Sequence, residues 1–192
     1  PLSDLPRDEQ GLCLIAAPRR LEQSETIVHE LPALLDSAMA HFDAIVANTG
    51  ANWGEQHAVL LERSSRALFL VDQRASSLRA CKHAVELCAR CGIAASPFLF
   101  VANRCSKRSL FSSIDVSCAM QGAHAAELKD GGVEVEQALG TGLTYDLVSS
   151  RNAFAQSVRE LMGEVVGEAA GSLASSEESE APSRGLFSLR RA

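Results

Sequence analysis

Asn48 and the two residues after it carry the first chemical signal in this chain. They close the run Phe42-Asp43-Ala44-Ile45-Val46-Ala47-Asn48-Thr49-Gly50, an apolar stretch that ends in a small-residue turn. Nucleotide-binding α/β proteins place an aspartate at such a strand end, where it holds the Mg²⁺ shell directly or through water. Here an amide stands in that place. Mg²⁺ is a hard cation that favours charged oxygen, so Asn48 would hold it more weakly than a carboxylate would. Asp43 lies at the wrong end of the run, and Asp72, at the end of another apolar run, is the alternative carboxylate.

The remaining reactive side chains form no strong pattern. His29, His41, His57, His83 and His124 are scattered without metal-ligand spacing and read as surface or helix residues. Cys88-Ala89-Arg90-Cys91 is a solitary CxxC, and all six cysteines read as reduced thiols in apolar settings. Trp53 follows the Asn48 turn and packs either on a partner or on the fold. Arg104, Lys107 and Arg108 form a basic cluster, read as a solvated loop or a phosphate or partner contact.

The elements that must position these groups alternate. Strands are expected near 12–17, 44–48, 67–72 and 98–103, and a weaker one near 123–128. Helices are expected between them, the first carrying Ile27, Val28, Leu31, Leu34, Leu35 and Ala38 at helical spacing. Ser24 is its expected cap, and Pro32 is expected to kink it or reset its start. Ser76 or Ser77 is the expected cap of the helix after the third strand, and Gly92 its stop. Short helices are expected at 114–120 and 133–139, the latter closed by Gly140, and a long amphipathic one at 153–166. The continuous apolar run 67–71 is typical of a buried parallel strand. This pattern predicts an α/β fold, a mostly parallel sheet with helices on both faces. Its ligand site would lie at the carboxyl ends of the strands.

Composition sets the outer bounds. The chain has 192 residues, 46% hydrophobic, which suffices for one domain of ordinary size. A net charge of -6 argues against general nucleic-acid binding. No apolar run is long enough to span a bilayer, and no signal peptide opens the chain. The first residue is Pro1, not Met, which suggests a fragment or a processed form. Residues 1–167 are expected to form the domain, 168–183 a flexible Ala/Gly/Ser/Glu linker, and 184–192 a short apolar and basic tail. That tail, with Leu186, Phe187 and Leu189 beside Arg184, Arg190 and Arg191, reads as a tethered docking element for a groove or an anionic membrane surface.

Four segments together resemble the MinD/ParA superfamily of deviant Walker A ATPases, and within it the CpaE/TadZ-like pilus-assembly, septum-site-determining-like branch. They are residues 11–18 (GLCLIAAP), 42–50 (FDAIVANTG, similar to FDxVVVDTG), 67–79 (ALFLVDQRASSLR) and 98–104 (FLFVANR, similar to a VxNR strand). The resemblance spans roughly residues 11–166 in family order. It implies a P-loop NTPase-like fold, ATP or ADP with Mg²⁺ in the intact protein, dimerisation around nucleotide and the positioning of machinery at membranes, poles or DNA. It places Asn48, Thr49 and Gly50, with Asn103 and Arg104, at the nucleotide. Asn103 would face the adenine, where an amide offers both a donor and an acceptor.

Two departures weaken the implied activity. No glycine-rich stretch ends in Lys-Ser or Lys-Thr, so the cradle of backbone N–H groups and the phosphate-binding lysine are missing. The Mg²⁺-shell aspartate is Asn48. The expected function is a cytoplasmic, membrane- or pole-associated localisation or scaffolding factor with degraded ATP hydrolysis. Its expected partners are proteins of a pilus, secretion or cell-pole apparatus and a second copy of the chain. Two readings stand beside it: a competent ATPase whose phosphate loop precedes residue 1, and an interaction domain that needs no nucleotide.

Overall fold

The computed structural model describes residues 2–9, 11–18, 20–51 and 53–179. The chain divides into two compact units, one of residues 1–64 with 84–96 and one of residues 65–83 with 97–192.

The second unit holds a parallel sheet in the order β1-β2-β3, formed by Ala67–Val71, Phe98–Cys105 and Ala125–Lys129. The central strand β2 is apolar without interruption and buried from Phe98 to Ala102, as a strand covered on both faces must be. Alternation sorts its side chains between two layers. Leu99 and Val101 join Leu128 of β3 and Leu161 of the helix Ala153–Ser179 in one cluster, against which Phe154, Val158 and Val165 pack. On the opposite face Phe69 of β1 meets Phe98 and Phe100, with ring centroids 4.8 and 5.5 Å apart. The helix Ser113–Ala119 packs on β2 and β3 and buries Val116; Ser112 accepts the Asp115 N–H as its cap. The parallel sheet with helices on both faces is the expected α/β class. In chain order the helices are α1 Ser24–Met39, α2 Glu55–Arg63, α3 Ala75–Arg90, α4 Ser113–Ala119, α5 Gly132–Thr141, α6 Tyr145–Val148 and α7 Ala153–Ser179.

The first unit is built on α1 and α2, which pack together and are tied by Arg63 to Asp36 at 3.3 Å. α1 runs through Pro32 and begins before it, so the proline does not reset the start. Gln23, not Ser24, occupies its N-cap position and makes no side-chain cap bond. The end of α3 closes as expected on Gly92, at φ +76°. Ile93 N–H donates to Cys88 O and Gly92 N–H to Ala89 O, the paired bonds of a Schellman stop. α3 itself starts at Ala75, so Ser76 and Ser77 lie inside its first turn; Ser77 Oγ accepts the Asp72 N–H. α5 continues past Gly140 to Thr141 and is capped by Gly142 in the left-handed region.

Two expected strands are absent among the described residues. Residues 12–17 make one isolated bridge, Arg7 to Cys13, and residues 44–48 form no element. Val46 is 87% exposed and Leu14 78%. Apolar alternation supplies strand propensity, but a strand exists only when a neighbour takes up its N–H and C=O groups. No described segment forms a strand ladder with either run beyond that one bridge, and β1 pairs with β2 alone. No described helix is long and apolar enough to cross a membrane. The expected linker and tail, 168–183 and 184–192, fall almost wholly outside the residues whose side chains are described; α7 is recorded as far as Ser179.

Candidate functional site

The carboxyl ends of β1 and β2 are joined by one side chain. Gln73 follows β1, and its Nε2 donates to Asn103 O at 2.9 Å and to Phe111 O at 3.1 Å. Its Oε1 accepts the Phe111 N–H at 2.9 Å. One amide therefore satisfies backbone groups 30 and 38 residues away and straps the 105–112 loop to the sheet end. Cys105 sits beneath this strap, and burial pushes its thiol up from the ordinary value.

Asn103 and Arg104 occupy the end of β2 where the register to β3 shifts between Ala102 and Cys105. Arg104 has φ +56°, a left-handed conformation that a non-glycine residue adopts at a cost in strain. A bulge of this kind re-aims side chains at a strand end. Arg104 is aimed at acids: its guanidinium meets Glu136 of α5 at 3.1 Å and Asp130 at 4.0 Å. Asn103 is half-buried, and its side-chain amide bonds no described residue. Of these two candidates, the amide is available to a ligand and the guanidinium is held by carboxylates. Asp72, the alternative carboxylate, lies 3.7 Å from Arg74.

Next to this end, Glu127 of β3 accepts from Ser113 N–H and Ser113 Oγ and pairs with Lys129 Nζ at 2.6 Å. The Lys129 hydrogen bond first, then the Ser113 N–H, hold the Glu127 carboxyl below its ordinary range against the opposing effect of burial. The Lys129 ammonium is held above its ordinary value by the same bond. A carboxylate with a lowered folded-state pKa contributes stability above its unfolded pKa and loses that contribution as pH falls through the folded value. Acidification below the ordinary glutamate range should therefore loosen the start of α4. The protection factor of the Ser113 amide, its exchange rate relative to an unstructured amide at the same pH, is expected to fall there, and Glu127→Gln should remove that fall.

The first unit holds Asn48, Thr49 and Gly50, all exposed; the Asn48 and Thr49 side chains bond no described residue. The turn that follows is organised by His57, which is buried at 8% exposure in α2. Its Nδ1 accepts the Gly54 N–H at 3.2 Å, and its Nε2 lies 3.1 Å from Gly50 O. The Trp53 ring stacks on the imidazole with centroids 5.2 Å apart. Asn52 and Arg19, at two expected strand ends, lie outside the described residues. The two candidate groups, Asn48 to Gly50 and Asn103 with Arg104, thus belong to different compact units.

Sequence reasoning passed over Gln73 and His57. Gln73 stood in a polar strand end without a spacing motif to mark it. His57 is three residues after Gly54, the position from which a side chain reaches back to a helix N-cap, and that signal was available.

The residues fit the parts of a nucleotide unequally. Asn103 carries an amide, with both a donor and an acceptor, and the strand ends offer no lysine-bearing glycine loop for phosphates. Among the described residues no group of three or more His, Cys, Asp or Glu is placed to hold a metal ion.

No protein-family profile matches this sequence. None of the curated proteins matches it either. Its fold is similar to that of a ParA family ATPase from Chlorobium tepidum TLS, with a TM-score of 0.71 and 17% identity. The match covers 88% of this chain and 68% of that one. At this identity the likeness is one of fold, and the chain has a ParA-like α/β fold.

Proposed function

We propose that this protein is a ParA-type localisation or scaffolding factor of the CpaE/TadZ kind, acting in pilus assembly or secretion with degraded ATP hydrolysis. The observation that carries the reading is the end of β2. A ParA-like sheet ends there in an amide, Asn103, whose side chain bonds no described residue, beside an arginine already taken up by Glu136 and Asp130. Asn48 in place of an aspartate and the missing phosphate loop support the same view. Such a factor would work in the cytoplasm at a pole or membrane surface, through protein partners and a second copy of itself. The tail at 184–192 would supply peripheral contact.

The purified chain is expected to release no phosphate from ATP above background, and Asn48→Asp alone should not create activity, because no cradle holds the phosphates. An adenine nucleotide should bind weakly, and Asn103→Ala should weaken it further. Steady phosphate release that Asn103→Ala abolishes would overturn the degraded-hydrolysis reading. A second reading, a competent ATPase with its phosphate loop outside these residues, is favoured by the length of the Chlorobium protein, of which this chain spans 68%. The intact protein would then hydrolyse ATP in the same assay.

A further inference from the structure

The two edges of the sheet are protected unequally. β3 carries Glu127 and Lys129, charges that discourage another strand from adding to it. β1 is Ala67-Leu68-Phe69-Leu70-Val71, without a charge, a proline or a bulge. Its pairing with β2 fixes which backbone groups it leaves over. Ala67 N–H donates to Pro97 O, so residues 67, 69 and 71 turn their N–H and C=O groups toward β2. Leu68 and Leu70 turn theirs to the outer edge, where no described segment forms a ladder with them. Their side chains share a sheet face with Leu99 and Val101, which pack on Leu161 of α7, yet Leu68 is 41% and Leu70 57% exposed.

We infer that β1 is a docking edge for a second copy of this chain, pairing antiparallel with its own counterpart about Phe69. The sequence around Phe69 is self-complementary in that register. Leu68 and the partner's Leu70 exchange N–H and C=O bonds, as do Leu70 and the partner's Leu68, so every outward group of these residues is used. The ladder stops there, because the Asp72 N–H is already donated to Ser77 Oγ. On the same face Arg66 stands opposite the partner's Asp72, and Asp72 opposite the partner's Arg66, so both ends bring opposite charges together. Parallel pairing in register would instead set arginine beside arginine and aspartate beside aspartate. Arg74 approaches one carboxylate oxygen of Asp72 at 3.7 Å, and a carboxylate has room for a second arginine. Between the charge pairs the leucines of both copies form one apolar row that extends the Leu99 and Val101 layer of each sheet. The two sheets become one, related by a twofold axis. This pairing needs no nucleotide and does not rest on the function proposed above.

Sedimentation equilibrium of the full chain, freed of nucleotide and followed from about 1 μM to about 1 mM, should show a monomer–dimer equilibrium. Leu70→Lys sets an ammonium opposite the partner's Leu68 in both halves of the ladder and should weaken the dimer by about tenfold or more. Leu70 is exposed, so the far-UV helix signal of the variant should match that of the parent. The register is read by mixing a Leu68→Cys protein with a ¹⁵N-labelled Leu70→Cys protein under a mild oxidant. Mass spectrometry should find a disulfide joining position 68 of one to position 70 of the other, where the Cα atoms would stand about 5.5 Å apart. A chain that stays monomeric, a dimer that forms only with ATP, a dimer that Leu70→Lys leaves intact, or cross-links mainly between like positions each overturns the pairing. If the lysine variant does not fold, the pattern of cross-links decides the matter.

Discussion

Gln73→Leu should lower the stability of the sheet-bearing unit by about 2–4 kcal/mol. The substitution keeps much of the side-chain volume and removes every polar atom. Three backbone groups, Asn103 O, Phe111 O and the Phe111 N–H, then lose their partner. A buried group left unpaired costs about 1–3 kcal/mol, and water entering this half-buried site recovers part of that sum. Denaturant melts of the two proteins measure the difference. Gln73→Glu gives the sharper check. Its carboxylate would face the Asn103 and Phe111 carbonyl oxygens with nothing to donate, whereas the protonated acid can donate once. The folded state therefore raises this carboxyl's pKa, and the deficit should be largest at neutral pH and shrink as pH falls. A glutamate variant as stable as the parent at neutral pH would show that the strap carries no weight.

Leu161→Ala is expected to cost a similar or larger amount, about 2–5 kcal/mol, by a different route. Leu161 is 6% exposed and packs with Leu99, Val101 and Leu128. Truncation leaves a cavity between α7 and the sheet that neighbouring Val158 and Val165 can fill only by moving the helix. Thermal melting should show a midpoint lower by about 4–20 °C, taking about 2–4 °C per kcal/mol for a chain of this size. Leu161→Met keeps the volume and should cost less than about 1.5 kcal/mol. A Leu161→Ala protein that melts with the parent would mean that α7 does not anchor the sheet.

The two predictions touch different kinds of information, and the same division runs through the fold. β1, β2 and β3 and the helices around them were legible because each is announced locally. The apolar runs at 67–71 and 98–102 and Gly92 after α3 each act within a few residues. Residues 12–17 and 44–48 carry the same apolar signal, yet they are not strands here. Pairing is a relation between two segments, and a sequence pattern reports only one of them.

The candidate site divides in the same way. The sequence determined which residue types stand at the strand ends: an amide at Asn48, an amide and a guanidinium at Asn103 and Arg104, and no lysine-bearing glycine loop. Only the tertiary structure decided what these groups are free to do. Arg104 is turned into the left-handed region and spent on Glu136 and Asp130, acids 32 and 26 residues further along. Gln73 reaches groups 30 and 38 residues away, and His57 is buried with both ring nitrogens against backbone groups. Residue type is written in the chain, but hydrogen-bond partners and burial depend on distances that only folding brings within reach.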